Sequence, residues 1–146
     1  MKRTSIEREL NERGRCMIQT VGVSMEPLLH NRYTTVVLER VQRPLRRGDV
    51  VLFRRADGDD YVLHRIVKVR GHEYHIRGDN CIQTESVQEA QILGVMTGFF
   101  NGEAYMDCAN SADYKRYVRT LKFRYVLRWL RALPHSVVRR VKRRLR

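Results

Sequence analysis

The chain has 146 residues, of which 42% are hydrophobic and 31% are charged, and it carries a formal net charge of +13. This composition predicts one folded domain with a modest core and excludes collagen, a coiled coil and a fully disordered chain. The longest uncharged run, 90–102, is interrupted by Gly94 and Gly98. Because a transmembrane helix needs about 20 mostly apolar residues, we expect no membrane-spanning helix in this sequence. The first 15 residues contain no apolar block, so we expect no secretory signal and a cytoplasmic location.

The first predicted elements are a short helix and six strands. Ser5 is placed to cap the helix, Ile6 and Leu10 lie one turn apart, and Gly14 is placed to end it. Apolar and β-branched runs separated by turn residues predict the strands. These cover 16–23, 34–41, 49–54, 61–69, 73–77 and, as the last strand, 92–100. Short strands at near-regular spacing predict a mainly β domain rather than alternating βαβ units.

The net positive charge of the chain comes entirely from its C-terminal part. Residues 1–114 hold 16 Lys/Arg and 16 Asp/Glu, whereas 115–146 hold 13 Lys/Arg and no acidic residue. The segment before Pro134 is rich in Leu, Arg, Lys and aromatic residues, and Ser136 is placed to cap a second, amphipathic helix. The sequence therefore predicts a β domain over 1–113 and a basic amphipathic helical tail over 114–146.

Such a tail has three interpretations. Its cations and apolar stripe suit an anionic membrane surface, where each Lys or Arg contributes about 1 kcal/mol. Its cations also suit the phosphates of a nucleic acid or another polyanion. The third interpretation is a solvated tail without a partner. We expect peripheral attachment at the inner face of the membrane, with nucleic acid as the alternative partner.

The cysteines and histidines give no sign of a metal site. Cys16, Cys81 and Cys108 are odd in number and widely spaced, which predicts reduced thiols rather than disulfides or a zinc site. His72 and His75 have no cysteine or acidic residue at metal-ligand spacing, and the sequence has no glycine-rich phosphate loop. We therefore expect no metal and no cofactor.

Ser24 follows an apolar strand, close to Gly22 and Pro27. A glycine there allows another backbone to approach closely, and the end of an element exposes a hydroxyl to backbone N–H groups that can face an oxyanion. The sequence thus makes Ser24 a candidate nucleophile. A serine near a proline is also an ordinary turn residue.

Two further side chains are candidates for proton transfer. His64 shares a strand face with Val62 and Ile66, which suits either a structural histidine or a general base with a pKa near ~6.5. Asp79 lies in a Gly-Asp-Asn sequence. It is either a turn residue or the carboxylate that orients and charge-stabilises the imidazole, as in a catalytic triad.

Four short motifs occur in order between Met17 and Thr97. They are Gly22-Val23-Ser24-Met25-Glu26-Pro27, Gly48-Asp49-Val50-Val51, His64-Arg65-Ile66-Val67 and Gly78-Asp79-Asn80. Together they resemble the signal peptidase I family and its SOS-repressor-type self-cleaving relatives. His64 stands where bacterial-type members have their lysine base, and in this respect the chain resembles the endoplasmic-reticulum and archaeal members, which use a histidine. The resemblance implies the β fold of that superfamily.

The resemblance also implies roles for individual residues. Ser24 would be the nucleophile, His64 the base and Asp79 the acid of the Gly-Asp-Asn motif. His-type members carry a second acid six residues further on, where this chain has Glu85. The oxyanion hole would use the backbone N–H of Ser24, because Gly22 lacks the hydroxyl that some members carry at that position.

The resemblance predicts a serine endopeptidase that cleaves a leader or signal-like peptide, with Glu85, Gly22 and Met25 as supporting residues. The sequence of the serine motif is similar to that found in small stand-alone relatives that accompany bacterial peptide-modification systems. A peptide or protein substrate would bind as an added strand beside the site. We expect the basic tail to replace the transmembrane anchor usual in the family. The alternative is a catalytically silent module of the same fold that acts through its tail.

Overall fold

The computed structural model describes residues 3–56, 58 and 60–132. Two helices, α1 (Arg3–Arg13) and α2 (Ala112–Ala132), lie at the ends of this part of the chain. The strands between them are β1 (Arg15–Gln19), β2 (Thr34–Glu39), β3 (Val50–Arg54), β4 (Tyr61–Arg70), β5 (Glu73–Arg77), β6 (Glu85–Gln88), β7 (Ile92–Asn101) and β8 (Ala104–Asp107). A single 3-10 turn, Glu89–Gln91, precedes β7.

The strands form one sheet in the order β1-β2-β7-β3-β4-β5-β6, with β8 paired to β7. Every pairing of these strands is antiparallel. Strand β7 is central because β2 pairs with one of its edges while β3 and β8 share the other. The prediction of a mainly β protein with a short N-terminal helix and a helical C-terminal segment is therefore confirmed.

Apolar side chains pack on both faces of the sheet. In β3, Val50 and Leu52 belong to one buried cluster, whereas Val51 and Phe53 belong to the other. This alternation follows from the two-residue period of a strand, and it explains why β3 reads as a continuous apolar run. Each fully buried side chain of this size contributes roughly 1.5–3 kcal/mol. The two clusters thus fix the centre of the sheet.

Helix α1 differs from its prediction at one end only. It begins at Arg3, so Ser5 lies in its first turn and does not precede it as a cap. Ile6 and Leu10 are buried in the first cluster, as their spacing predicts. The helix ends at Gly14, which has a φ of 75° and donates its N–H to the carbonyl of Leu10 at 3.0 Å.

The prediction that 92–100 is the last strand was wrong, because β8 follows it. The short strand β6, which precedes it, was not predicted. In β6 only Val87 is buried, and β8 contains no fully buried residue. Such short outer strands lack the apolar alternation on which the prediction relies. Strand β1 was also predicted to reach residue 23 but ends at Gln19.

Helix α2 packs on the β domain. Its N-terminus is capped by Ser111, whose hydroxyl accepts the N–H of Tyr114 at 3.1 Å. Tyr114 and Leu121 are buried, so the predicted boundary between residues 113 and 114 falls inside a helix that shares the core. The predicted second tail helix, from Ser136 onwards, lies outside the described residues. Neither α1 nor α2, the helices of the described part, is both long and apolar enough to cross a bilayer.

Candidate active site

Ser24 lies in the loop that joins β1 to β2. Gly22 adopts a φ of 95° and donates its N–H to Oδ1 of Asn31 at 2.9 Å. A Cβ at Gly22 would meet no atom within 4 Å, so the expectation of a close backbone approach at this glycine was wrong. The glycine is needed because other residues rarely adopt a positive φ. It sets the turn that leads into Ser24.

The residues after Ser24 anchor this loop in the core. Met25 and Leu29 are buried in the first apolar cluster, and Leu28 is buried with them. The sulfur of Met25 accepts the N–H of Asp79 at 3.5 Å. Ser24 itself is only half-buried. The loop therefore holds its hydroxyl residue at the boundary between the core and solvent.

The segment Gly78–Asn80 clamps the serine loop from the other side. The backbone N–H of Asn80 donates to the carbonyl of Ser24 at 2.7 Å, and its side-chain amide donates to the carbonyl of Val23 at 3.0 Å. A Cβ at Gly78 would lie 2.6 Å from the carbonyl oxygen of Ser24 and 3.0 Å from Nε2 of His64. Gly78, whose motif alone gives no sign of this packing, is thus the point at which these segments meet.

His64 lies on β4, opposite Val51 of β3, and is buried. Its ring centroid is 6.2 Å from that of Phe53. Nε2 faces Gly78 beside the main chain of Ser24, while Nδ1 lies 3.3 Å from Oε1 of Glu85. The ring is therefore held between the serine loop and a carboxylate.

The environment of His64 favours a neutral ring. Burial lowers the pKa of His64, and the nearby Glu85 carboxylate offsets part of this effect. The contact of Nδ1 with Glu85 lies outside hydrogen-bond geometry, so Nδ1 has no hydrogen-bond partner in the described part of the chain. A neutral imidazole can accept a proton at pH 7, as a general base must.

Glu85 is held next to His64 by Arg55. The guanidinium of Arg55 donates from Nε to Oε2 at 2.8 Å and from Nη2 to Oε1 at 2.9 Å. These hydrogen bonds lower the pKa of Glu85, which keeps the carboxylate ionised at neutral pH. A negative charge beside Nδ1 is suited to stabilise an imidazolium.

Asp79 has other partners. Its Oδ1 accepts from Nε of Arg65 at 2.8 Å and from the hydroxyl of Tyr125 at 3.2 Å. Its Oδ2 accepts from Nη2 of Arg65 at 2.7 Å and from the hydroxyl of Tyr117 at 3.1 Å. Arg128 also donates to its backbone carbonyl at 2.8 Å. The carboxylate thus joins β4 to α2.

These contacts change the expected roles of the two acids. Within the described residues, Asp79 makes no hydrogen bond to His64, contrary to the expectation that it orients the ring. Its oxygens are already satisfied by Arg65 and by the tyrosines of α2. Glu85, expected only as a supporting residue, is the carboxylate beside Nδ1.

Ser24 and His64 line one cavity of about 470 Å³. Its walls are mostly apolar and include Ile18, Leu29, Leu52, Val62 and Leu63. Neither Oγ nor the backbone N–H of Ser24 is hydrogen-bonded to another described residue. Ser24 and His64 thus bring a hydroxyl and an imidazole to the same cavity, and the N–H of Ser24 has no partner among the described residues, which is a set suited to acyl transfer.

The cysteines and the possible metal ligands of the described residues form no second site. Burial raises the pKa values of Cys16 and Cys108 to about 11, which keeps both thiols protonated. Among the described residues, no three His, Cys, Asp or Glu side chains are grouped to hold a metal ion. The chain matches no protein-family model.

Proposed function

We propose that the chain is a serine endopeptidase of the signal peptidase I and SOS-repressor superfamily that cleaves a leader or signal-like peptide. Ser24 is the nucleophile and His64 the general base. Glu85 stabilises the charged ring. One observation carries the proposal: Ser24 and His64 line the same cavity, with Nε2 turned towards the serine loop and a carboxylate beside Nδ1.

The reaction begins when Nε2 of His64 takes the proton of Ser24. The hydroxyl oxygen attacks the scissile carbonyl carbon, and the backbone N–H of Ser24 donates to the resulting oxyanion. The C–N bond then breaks, and His64 gives its proton to the leaving amine. Water attacks the acyl carbon while His64 takes its proton. The ester C–O bond then breaks and His64 gives that proton to Oγ of Ser24, which releases the acid product and restores the free serine and the neutral ring.

The two acids have separate roles in this mechanism. Glu85 lies at the ring and stabilises the imidazolium by its charge. Asp79 holds the segment that contains Gly78 and Asn80 through its contacts with Arg65 and α2. It is therefore a positioning residue, because Asn80 in turn holds the carbonyl of Ser24.

The cavity suits a peptide substrate with an uncharged side chain next to the scissile bond. Apolar walls surround the serine, and Arg55, which borders the cavity, is bonded to Glu85. An extended peptide laid along the strand ends would bring its carbonyl to Ser24. The leader or signal-like substrate class follows from this shape and from the resemblance of the motifs.

The nucleophile is tested with a matched pair of serine variants. The native protein, Ser24→Ala and Ser86→Ala are treated with a fluorophosphonate probe and, separately, incubated with a mixed peptide library that is analysed by mass spectrometry. We expect labelling and cleavage by the native protein and by Ser86→Ala, whose serine is exposed on β6, and neither from Ser24→Ala. Cleavage that survives in Ser24→Ala would exclude this nucleophile.

A second function is favoured by the charge of the chain. The 13 cations of 115–146, without one acidic residue, suit a silent module that binds an anionic membrane or a nucleic acid. The same experiment separates the two functions. A native protein that neither reacts with the probe nor cleaves any peptide would count against the peptidase and would leave binding through the cations of 115–146 as the function to test.

A further inference from the structure

Helix α2 has one face committed to the β domain. Tyr114, Leu121 and Tyr125 follow one another at intervals of seven and four residues, and Tyr114 and Leu121 are buried. Tyr125 and Arg128 reach Asp79 from the same side. This inner face anchors the helix, so that its orientation on the sheet is fixed.

The outer face of α2 is apolar and uncovered. Phe123, Val126 and Trp129 lie at intervals of three residues, and Leu130 lies four residues after Val126. These four side chains are between 48% and 67% exposed. Four large apolar side chains on one helical face form a surface of the kind that marks an interaction site. We call these four residues the outer face.

Cations surround the outer face. Residues 115–132 contain seven Lys/Arg and no Asp or Glu. Most of these side chains are exposed, among them Arg119, Lys122, Arg124 and Arg131. The partner of the outer face must therefore be negatively charged and must also accept apolar side chains.

We propose that the outer face of α2 docks on an anionic membrane surface. The helix would lie in the plane of the interface, with Phe123 and Trp129 among the acyl chains and the flanking cations at the lipid phosphates. A duplex nucleic acid would satisfy the cations but would leave Val126 and Leu130 in water. The combination of charge and aliphatic surface thus favours lipid.

The outer face continues towards the candidate active site. Val126 and Trp129 line a small cavity with Ile82 and Cys81, and Cys81 also lines the cavity of Ser24. A docked helix would hold this opening next to the lipid surface. The docking itself does not depend on the proposed peptidase activity, so Ser24→Ala is expected to bind vesicles as the native protein does.

Trp129 is the only tryptophan of the chain, and its fluorescence reports directly on the outer face. The full-length protein is titrated with vesicles of phosphatidylcholine alone and with vesicles containing half phosphatidylglycerol. With the anionic vesicles we expect a blue shift and quenching by lipids brominated in the acyl chains. With the neutral vesicles we expect neither.

Two double variants separate the apolar and the charged contributions. Phe123→Ser/Leu130→Ser is expected to weaken partitioning about tenfold or more and to reduce bromolipid quenching of Trp129. Arg119→Gln/Lys122→Gln is expected to weaken it about fivefold for each cation removed. Lys68→Gln/Arg70→Gln, at the exposed end of β4, changes the net charge equally and is expected to bind as the native protein does.

Three outcomes would overturn the proposal. One is binding to anionic vesicles without bromolipid quenching of Trp129, and another is equal binding by all three variants. The third is higher affinity for duplex DNA than for anionic vesicles at the same salt concentration. Circular dichroism of each variant verifies that the compared proteins are folded, which the exposure of the substituted side chains leads us to expect.

Discussion

Arg65 and Asp79 form a two-pronged ion pair in the interior, with Nε 2.8 Å from Oδ1 and Nη2 2.7 Å from Oδ2. Their side chains are 3% and 0% exposed. Burial alone would lower the pKa of Arg65, but the hydrogen bonds and charge of Asp79 outweigh it and raise this pKa. Arg65 is therefore charged, and its stability in the core depends on Asp79.

The substitution Asp79→Asn is expected to lower the free energy of unfolding by about 3–5 kcal/mol, because it leaves the buried guanidinium without its counter-charge. Urea denaturation measures the change. Glu85→Gln serves as the matched control and is expected to cost less than about 1 kcal/mol, since Glu85 is partly exposed. A fully stable Asp79→Asn protein would contradict the dependence of the buried Arg65 on this counter-charge.

Glu85→Gln is expected to reduce kcat/KM about tenfold or more, because it removes the negative charge next to the imidazolium that forms during the reaction. Peptide cleavage measures this rate. Glu89→Gln removes an exposed carboxylate just after β6 and is expected to leave the rate unchanged. If both variants cleave at the native rate, Glu85 has no part in the chemistry.

The activity of the protein is expected to fall at acidic pH, with a midpoint below about 6.5. Burial lowers the pKa of His64 and Glu85 partly restores it, so Glu85→Gln is expected to shift the midpoint further down. The pH dependence of kcat/KM tests both statements. An acidic midpoint above 6.5 would contradict the description of His64 as a buried neutral base.

The same ring affects stability. The unfolded chain protonates His64 near ~6.5, whereas the folded chain protonates it at a lower pH. Between these values the unfolded state binds more protons, so the free energy of unfolding falls as the pH falls through this window. His64→Gln is expected to flatten this part of the stability profile, measured by urea denaturation at several pH values. An equally steep profile in His64→Gln would assign the effect to other groups.

Gly78→Ala is expected to abolish cleavage, because the new Cβ would lie 2.6 Å from the carbonyl oxygen of Ser24. That contact involves backbone, which cannot move without displacing Ser24. Gly22→Ala provides a contrast without a steric clash: its Cβ has open space, so only the positive φ opposes it, at a cost of roughly 1–2 kcal/mol in the free energy of unfolding. Assays of activity and unfolding distinguish the two, and full activity in Gly78→Ala would show that the loops are not coupled.

The β class was predictable because strands such as β3 are buried on both faces and read as apolar runs. Strand β6 was not predictable, since Val87 is its only buried residue. Its position depends on pairing with β5, to which residues 78–84 connect it. The extent of β1 was missed for a similar reason, because Gly22 and Asn31 form a turn where the sequence remains apolar.

Local motifs singled out Ser24 and His64, and the structure places both residues at one cavity. Which of the two acids, Asp79 or Glu85, lies beside His64 was not predictable. Asp79 and Glu85 are both acidic residues near a turn, and the choice between them depends on which arginine each one meets. The tyrosines of α2 carry no signal of their contact with Asp79, because helical spacing defines a face but not its partner.

Because α2 contacts the β domain on one face and exposes apolar side chains on another, C-terminal deletions would affect both at once. A chain cut before Tyr114 would lose the hydroxyl that contacts Arg65 at 3.0 Å and would expose Asp79 to water. Failure of such a shortened protein to bind or cleave would therefore reflect a damaged interior rather than a missing attachment surface. Single substitutions on the outer face of α2 would instead test attachment without disturbing the interior.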